Sequence, residues 1–137
     1  MFKLIKITNG RTNVPEPITV KTSGQISYAE GCVYYLAQGD VHAAQATEDD
    51  LIFIPLKSVD KSEGKNSVLG YIVNEGMVFE TEIKNDYTLM GVGDTVSLFS
   101  DSDGNNSCVE AVYGEQAKII NMDTASIDRK VLVALTW

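Results

Sequence analysis

Apolar and polar residues alternate with a period of two along much of the chain. The alternation is clearest in residues 77–83, where Met77, Phe79, Thr81 and Ile83 fall on one face and two glutamates fall on the other. A period of two is typical of a β-strand that has one buried face and one solvated face. We therefore expect this segment to be a strand at the edge of an apolar core.

Similar short runs, separated by turns rich in glycine, asparagine and aspartate, recur from one end of the chain to the other. The predicted strands are residues 2–7, 18–21, 32–37, 41–46, 51–56, 68–73, 77–83, 95–99, 108–113, 117–122 and 131–137. This pattern predicts an all-β fold, a small barrel or sandwich of about ten short, mostly antiparallel strands. Residues 38–40 and 74–76 are predicted to close β-hairpins. A short helix is expected only within residues 83–90 or near Ala125.

The N-terminal segment differs from the rest of the chain because it contains two closely spaced prolines. Pro15 and Pro17 favour an extended backbone, and neither has an amide donor for a central strand. We predict an extended N-terminal arm over residues 1–17 and a single β domain over residues 18–137, a length that suits one core. Residues 57–67 are polar and are predicted to form a mobile loop.

The charge balance excludes some partners. The chain has 19 acidic and 11 basic residues and a formal net charge of −8. Such a surface repels phosphate groups, and no local cluster of basic residues offsets it, so we predict no nucleic-acid binding. No apolar run approaches the ~20 residues that span a bilayer, and no secretory signal precedes the first strand. We therefore expect no membrane partner and production in a cytoplasm.

Residues 100–107, SDSDGNNS, resemble the start of a calcium-binding loop. Counted from Asp101, oxygen-bearing side chains stand at the first, third and fifth positions, as in such loops. The required glycine and the distal bidentate glutamate are replaced by Asn106 and Val112. We therefore interpret the segment as a turn between two strands and predict no metal site.

No residue pattern indicates catalysis. His42 is the only histidine and has no metal ligand at a suitable spacing. Cys32 and Cys108 lie in apolar strands, where cysteine usually acts as a small buried hydrophobe. Glu80 and Glu82 share a strand face, which is more typical of a solvated surface than of an acid–base pair. The sequence therefore predicts no cofactor and no enzyme.

Several aromatic residues are candidates for a binding surface. Tyr34 and Tyr35 are adjacent in a strand, so one ring is expected to point inward and the other outward. Further candidates for outward rings are Tyr71, Tyr87 and Tyr113. Trp137 is the last residue given and is expected to dock on the domain or on a partner. Exposed rings serve protein and sugar binding alike. A carbohydrate- or protein-binding β module of a larger assembly is therefore one open alternative.

Three pieces of the chain resemble the decoration proteins (also called cement or auxiliary head proteins) of tailed-bacteriophage capsids. They are the glycine-led strand at residues 31–36 with its turn at 39–41, the glycine-led strand at 93–98, and the closing strand at 131–135. The resemblance implies a non-enzymatic structural protein, made in the host cytoplasm, that stabilises the capsid on the outer face of the virion head. Its expected partner is the major capsid protein, whose neighbouring subunits it would bridge. Such proteins often associate around local threefold axes, so self-association as a homotrimer is a further expectation.

The predicted partner-binding residues follow from this resemblance and from the surface features above. They are Val14, Pro15, Glu16, Pro17, Tyr35 and Trp137. The first four belong to the arm, which is expected to lie on another chain by strand addition.

Overall fold

The computed structural model describes residues 1–7, 17–22, 27–37, 40–43, 51–74, 76–100, 106–123 and 125–135. This part of the chain forms eleven strands and one short helix. The strands are β1 Lys3–Ile7, β2 Ile18–Lys21, β3 Tyr34–Ala37, β4 Asp40–Ala43, β5 Leu51–Pro55, β6 Ser67–Ile72, β7 Met77–Lys84, β8 Thr95–Ser100, β9 Ser107–Tyr113, β10 Ala117–Asn121 and β11 Lys130–Leu135. The helix α1 is Ala125–Asp128, at the place where the sequence allowed one. The predicted all-β fold is confirmed.

The chain divides into two compact units, where the sequence predicted one β domain over residues 18–137. Unit 1 comprises Met1–Thr12, Asn74–Phe99 and Cys108–Trp137, and unit 2 comprises Asn13–Val73 and Ser100–Ser107. The start of the predicted arm is a strand of unit 1, because β1 pairs antiparallel with β7 and places Leu4 opposite Phe79. Residues 8–16, which form most of the arm, lie outside the described residues.

Five strands of unit 1 close into a barrel in the order β7-β11-β10-β8-β9. The strand β7 makes this closure possible because it is long enough to have two neighbours along one edge. Its first half pairs with β1, and its end pairs in parallel with β9, where Ile83 lies opposite Val109. Its other edge pairs antiparallel with β11. Of the two predicted architectures, barrel and sandwich, unit 1 is the barrel.

The barrel core follows the sequence alternation of β7. Phe79, Thr81 and Ile83 are buried, whereas Glu80 and Glu82 on the other face are half-buried. The predicted dry face of this strand is therefore confirmed, whereas the other face is only partly solvated, since Val78 on it is buried. Burial of each large apolar side chain in such a core contributes about 1.5–3 kcal/mol. The barrel thus forms a stable frame for the turns that leave its strands.

Unit 2 is a five-stranded antiparallel sheet in the order β2-β6-β5-β3-β4. Its core contains Tyr28, Cys32, Tyr34, Phe53 and Val68. The rings of Tyr28 and Tyr34 meet edge to face with their centroids 5.1 Å apart. The Tyr34 hydroxyl is satisfied in this apolar setting because it accepts a hydrogen bond of 2.9 Å from an amide five residues earlier.

One of the two predicted hairpins is present, and the prediction of the other is wrong. The strands β3 and β4 pair antiparallel around residues 38–39, as predicted. The strands β6 and β7, by contrast, do not pair, because β6 belongs to the sheet of unit 2 and β7 to the barrel of unit 1. The turn at Asn74 still forms, with the Met77 amide donating to the Asn74 carbonyl. A local turn signal therefore did not decide which sheet the next strand joins.

The predicted loop at residues 57–67 contains a capped turn of 3-10 helix, Lys61–Glu63. The Ser62 amide donates to the Asp60 carboxylate at 2.8 Å, and the Asp60 amide donates to the Glu63 carboxylate at 3.1 Å. This reciprocal pair is a capping box, which satisfies backbone donors at the start of a helical turn. Within the described ranges, no helix is long and apolar enough to cross a membrane.

Candidate interaction surface on unit 1

The structure separates those predicted partner-binding residues that it describes. Pro17 is exposed before β2, and Tyr35 is half-buried in β3, where it lies opposite Ile52 of β5. The strands β2 and β3 are not neighbours, since β6 and β5 lie between them. The other four predictions, Val14, Pro15, Glu16 and Trp137, lie outside the described residues.

The segment SDSDGNNS is described only at its ends. The hydroxyls of Ser100 and Ser107 lie 3.1 Å apart, and Ser107 also accepts a hydrogen bond of 3.2 Å from the Val33 amide. The strands β8 and β9 that flank the segment are neighbours, as expected for a turn between two strands. Across the described ranges, no group of three or more histidine, cysteine or acidic side chains could hold a metal ion.

The cysteines and the paired glutamates have structural surroundings. Cys32 and Cys108 are buried, as predicted, and burial raises the pKa of the Cys108 thiol. A protonated thiol is a poor nucleophile. Glu80 lies 3.8 Å from the ammonium of Lys130, and Glu82 accepts a hydrogen bond of 3.0 Å from the N-terminal ammonium. Burial tends to raise the pKa of Glu82, but this bond and nearby cations hold the pKa below its usual value.

The most exposed large apolar side chains of the described residues belong to unit 1. Leu89 is 82% exposed, Val92 68% and Tyr113 65%. The Tyr113 hydroxyl lies 3.5 Å from the Leu89 carbonyl, to which it donates, so the end of β9 contacts the turn that follows β7. We call these three residues the Leu89 platform. Single exposed apolar residues are common on proteins, but several in one place mark interaction sites.

Leu89 and Val92 lie in the turn between β7 and β8, residues 85–94, which we call the platform turn. Hydrogen bonds hold its first part. The Met90 amide donates to the Tyr87 carbonyl at 2.9 Å. The carboxylate of Asp86 accepts from both the hydroxyl and the amide of Thr88, at 2.7 and 3.0 Å. These two bonds, the hydroxyl first, keep the pKa of Asp86 below its usual value. Leu89 is therefore carried by a turn with a defined backbone.

The second part of the turn is tied to the barrel. The Asp94 carboxylate accepts from the Gly91 amide at 2.9 Å, and Gly93 has a φ of 95°, in the left-handed region that favours glycine. The Gly93 amide donates to the Ile119 carbonyl at 2.8 Å, and the Ile119 amide donates to the Asp94 carbonyl at 2.9 Å. Gly93 and Asp94 thus tie the turn that contains Val92 to β10. Residues 91–94 therefore form a turn that leads into β8.

Arg129 holds the base of the same turn. Its guanidinium donates to the Asn85 carbonyl at 2.6 Å and to the Ile83 carbonyl at 3.3 Å. The guanidinium carbon also lies 5.2 Å from the centroid of the Tyr87 ring, within the range of a cation–π contact. Arg129 therefore contacts three residues just before Leu89.

Carboxylates and cations both lie on the segments that carry the Leu89 platform, residues 84–94 and 110–118, and at Arg129. The carboxylates are those of Asp86, Asp94, Glu110 and Glu115, of which Asp86 and Glu115 are exposed. The nearby cations are Lys84, Lys118 and Arg129. Lys84 lies over the Phe99 ring at 3.7 Å, and Arg129 is engaged as described above. Lys118 is exposed on β10.

Sequence reasoning found one of the three platform residues. Of the three further candidates for outward rings, Tyr113 is exposed, whereas Tyr71 and Tyr87 are half-buried. Leu89 and Val92 were not singled out. The signal available was the presence of large apolar residues inside a turn with two glycines, residues 87–94, where polar residues are the rule. No family model, curated protein or solved structure matches this chain. The platform is therefore interpreted from its own geometry, which offers apolar contact area and a phenol to a partner.

Proposed function

We propose that this protein is a non-enzymatic structural protein that binds the outer face of a tailed-phage capsid and stabilises contacts between major capsid subunits. The observation that carries the proposal is the Leu89 platform, because its side chains are exposed while its backbone is fixed by hydrogen bonds. A surface that is ordered before binding loses little conformational entropy on association. Such a surface suits a protein whose role is adhesion.

The three pieces of the chain that resemble capsid decoration proteins support the same proposal by their positions in the fold. Gly31 and Gly93, which lead two of these pieces, have φ values of 71° and 95° and precede β3 and β8. The third piece, residues 131–135, lies within β11 of the barrel. Both glycines thus have the left-handed backbone of a turn residue at the start of a strand, as the resemblance to decoration proteins implies.

The test uses expanded heads assembled from the major capsid protein encoded in the same genome. The purified protein is co-sedimented with the heads over a range of concentrations, and decorated heads are imaged by electron microscopy. We expect saturable binding with density at symmetry-related positions on the outer face. Absence of binding, or binding that does not saturate, would overturn the proposal.

A matched pair of variants connects the binding to the platform. Leu89→Ser should weaken binding to heads by about tenfold, since a large apolar contact is lost. Leu69→Ser changes the same residue type on unit 2, where Leu69 is 39% exposed, and should leave the affinity unchanged. Light scattering of the free and bound protein tests the expected homotrimer.

Tyr113 favours one alternative, a carbohydrate-binding β module. Its ring is 65% exposed, and sugars stack on exposed aromatic rings. Under that alternative, the protein would bind soluble glycans, Tyr113→Ala would abolish that binding, and heads would not be decorated. This combination of results would replace the capsid proposal.

A further inference from the structure

We draw no further inference here: the strongest candidate, the Leu89 platform on the turn between β7 and β8 and the end of β9 in unit 1, belongs to the surface already described, and nothing in the described part of the structure shows what covers it.

Discussion

The guanidinium of Arg129 donates a hydrogen bond of 2.6 Å to the carbonyl of Asn85, and both residues have a left-handed backbone. Their φ values are 59° and 68°, respectively. Asparagine adopts this conformation at little cost, whereas a residue such as arginine does so at about 1–2 kcal/mol. The strands β7 and β11 meet at this point, since the Ile83 amide donates to the Arg129 carbonyl at 2.8 Å. Side-chain bonds of Arg129 offset the backbone strain at its own position.

We therefore expect glycine to be tolerated better than alanine at position 129. Arg129→Ala removes the hydrogen bonds but keeps the strained backbone, so the free energy of unfolding should fall by about 1–2 kcal/mol. Arg129→Gly removes the same bonds but relieves the strain, and it should be more stable than the alanine variant by about 1 kcal/mol. Chemical denaturation of the two variants measures the difference. An alanine variant at least as stable as the glycine variant would contradict the strain argument.

Gly70 in β6 lies where no side chain fits. A Cβ there would overlap the carbonyl oxygen of Ile54 and lie 2.6 Å from Cζ of Phe53. Gly70→Ala should lower the free energy of unfolding by about 3 kcal/mol, because the core of unit 2 has to shift to admit the methyl group. The control is Gly91→Ala, whose Cβ would meet only the Asp94 carboxylate at 3.9 Å and should change stability by less than about 1 kcal/mol. Equal melting temperatures for both variants would contradict the close packing of Ile54 and Phe53 against Gly70.

Thr81 contributes an unsatisfied hydroxyl to the barrel core. It is 2% exposed, and its Oγ1 is the buried side-chain polar atom of the described residues for which no hydrogen-bond partner exists. Thr81→Val keeps the shape and removes the buried polar group, so it should stabilise the protein by about 1 kcal/mol. Thermal unfolding measures the change, and a loss of stability would indicate that the hydroxyl is satisfied in solution.

The buried hydroxyl of Ser107, unlike that of Thr81, is hydrogen-bonded. Its hydroxyl accepts from the buried Val33 amide, which would lose this acceptor in Ser107→Ala. We expect this variant to be destabilised by about 1–3 kcal/mol. The two hydroxyl deletions should therefore change the free energy of unfolding in opposite directions.

The capping box at residues 60–63 makes local order depend on pH. Hydrogen bonds from Ser62, the backbone bond first, hold the pKa of Asp60 below its usual value. A carboxylate whose pKa is lower in the folded state stabilises the fold above its unfolded pKa of about 3.9, and this contribution is lost as the pH falls through the lower folded value. NMR titration of the Asp60 carboxyl carbon should give a midpoint below about 3.9, with the Ser62 amide shift following it.

A neutral cap is the control for this titration. Asp60→Asn retains an oxygen acceptor for the Ser62 amide but has no carboxyl to titrate. The Ser62 amide shift should then no longer follow a transition at that midpoint. An Asp60 midpoint at or above the ordinary pKa would contradict the capping interaction between Asp60 and Ser62.

The strand content and the inward faces of the strands could be predicted from local patterns along the chain. Alternation over residues 77–83 placed Phe79 and Ile83 in the core, because the pleat of a strand puts every second side chain on one face. Glycine-rich turns between the strands were predicted for an equally local reason, since few other residues adopt the left-handed backbone conformation that Gly93 has. These features depend on neighbouring residues and can therefore be inferred from the order of residues alone.

Which strands pair and which apolar residues stay exposed depends instead on contacts between distant parts of the chain. The turn at residues 74–76 looked like a hairpin, but β6 and β7 join different sheets, because pairing is selected by long-range packing of the whole strand face. Leu89 and Val92 look like core residues by type, yet their exposure depends on the hydrogen bonds that tie their turn to β10 and Arg129. Burial is a property of the assembled chain, and a residue's type gives only a tendency towards it.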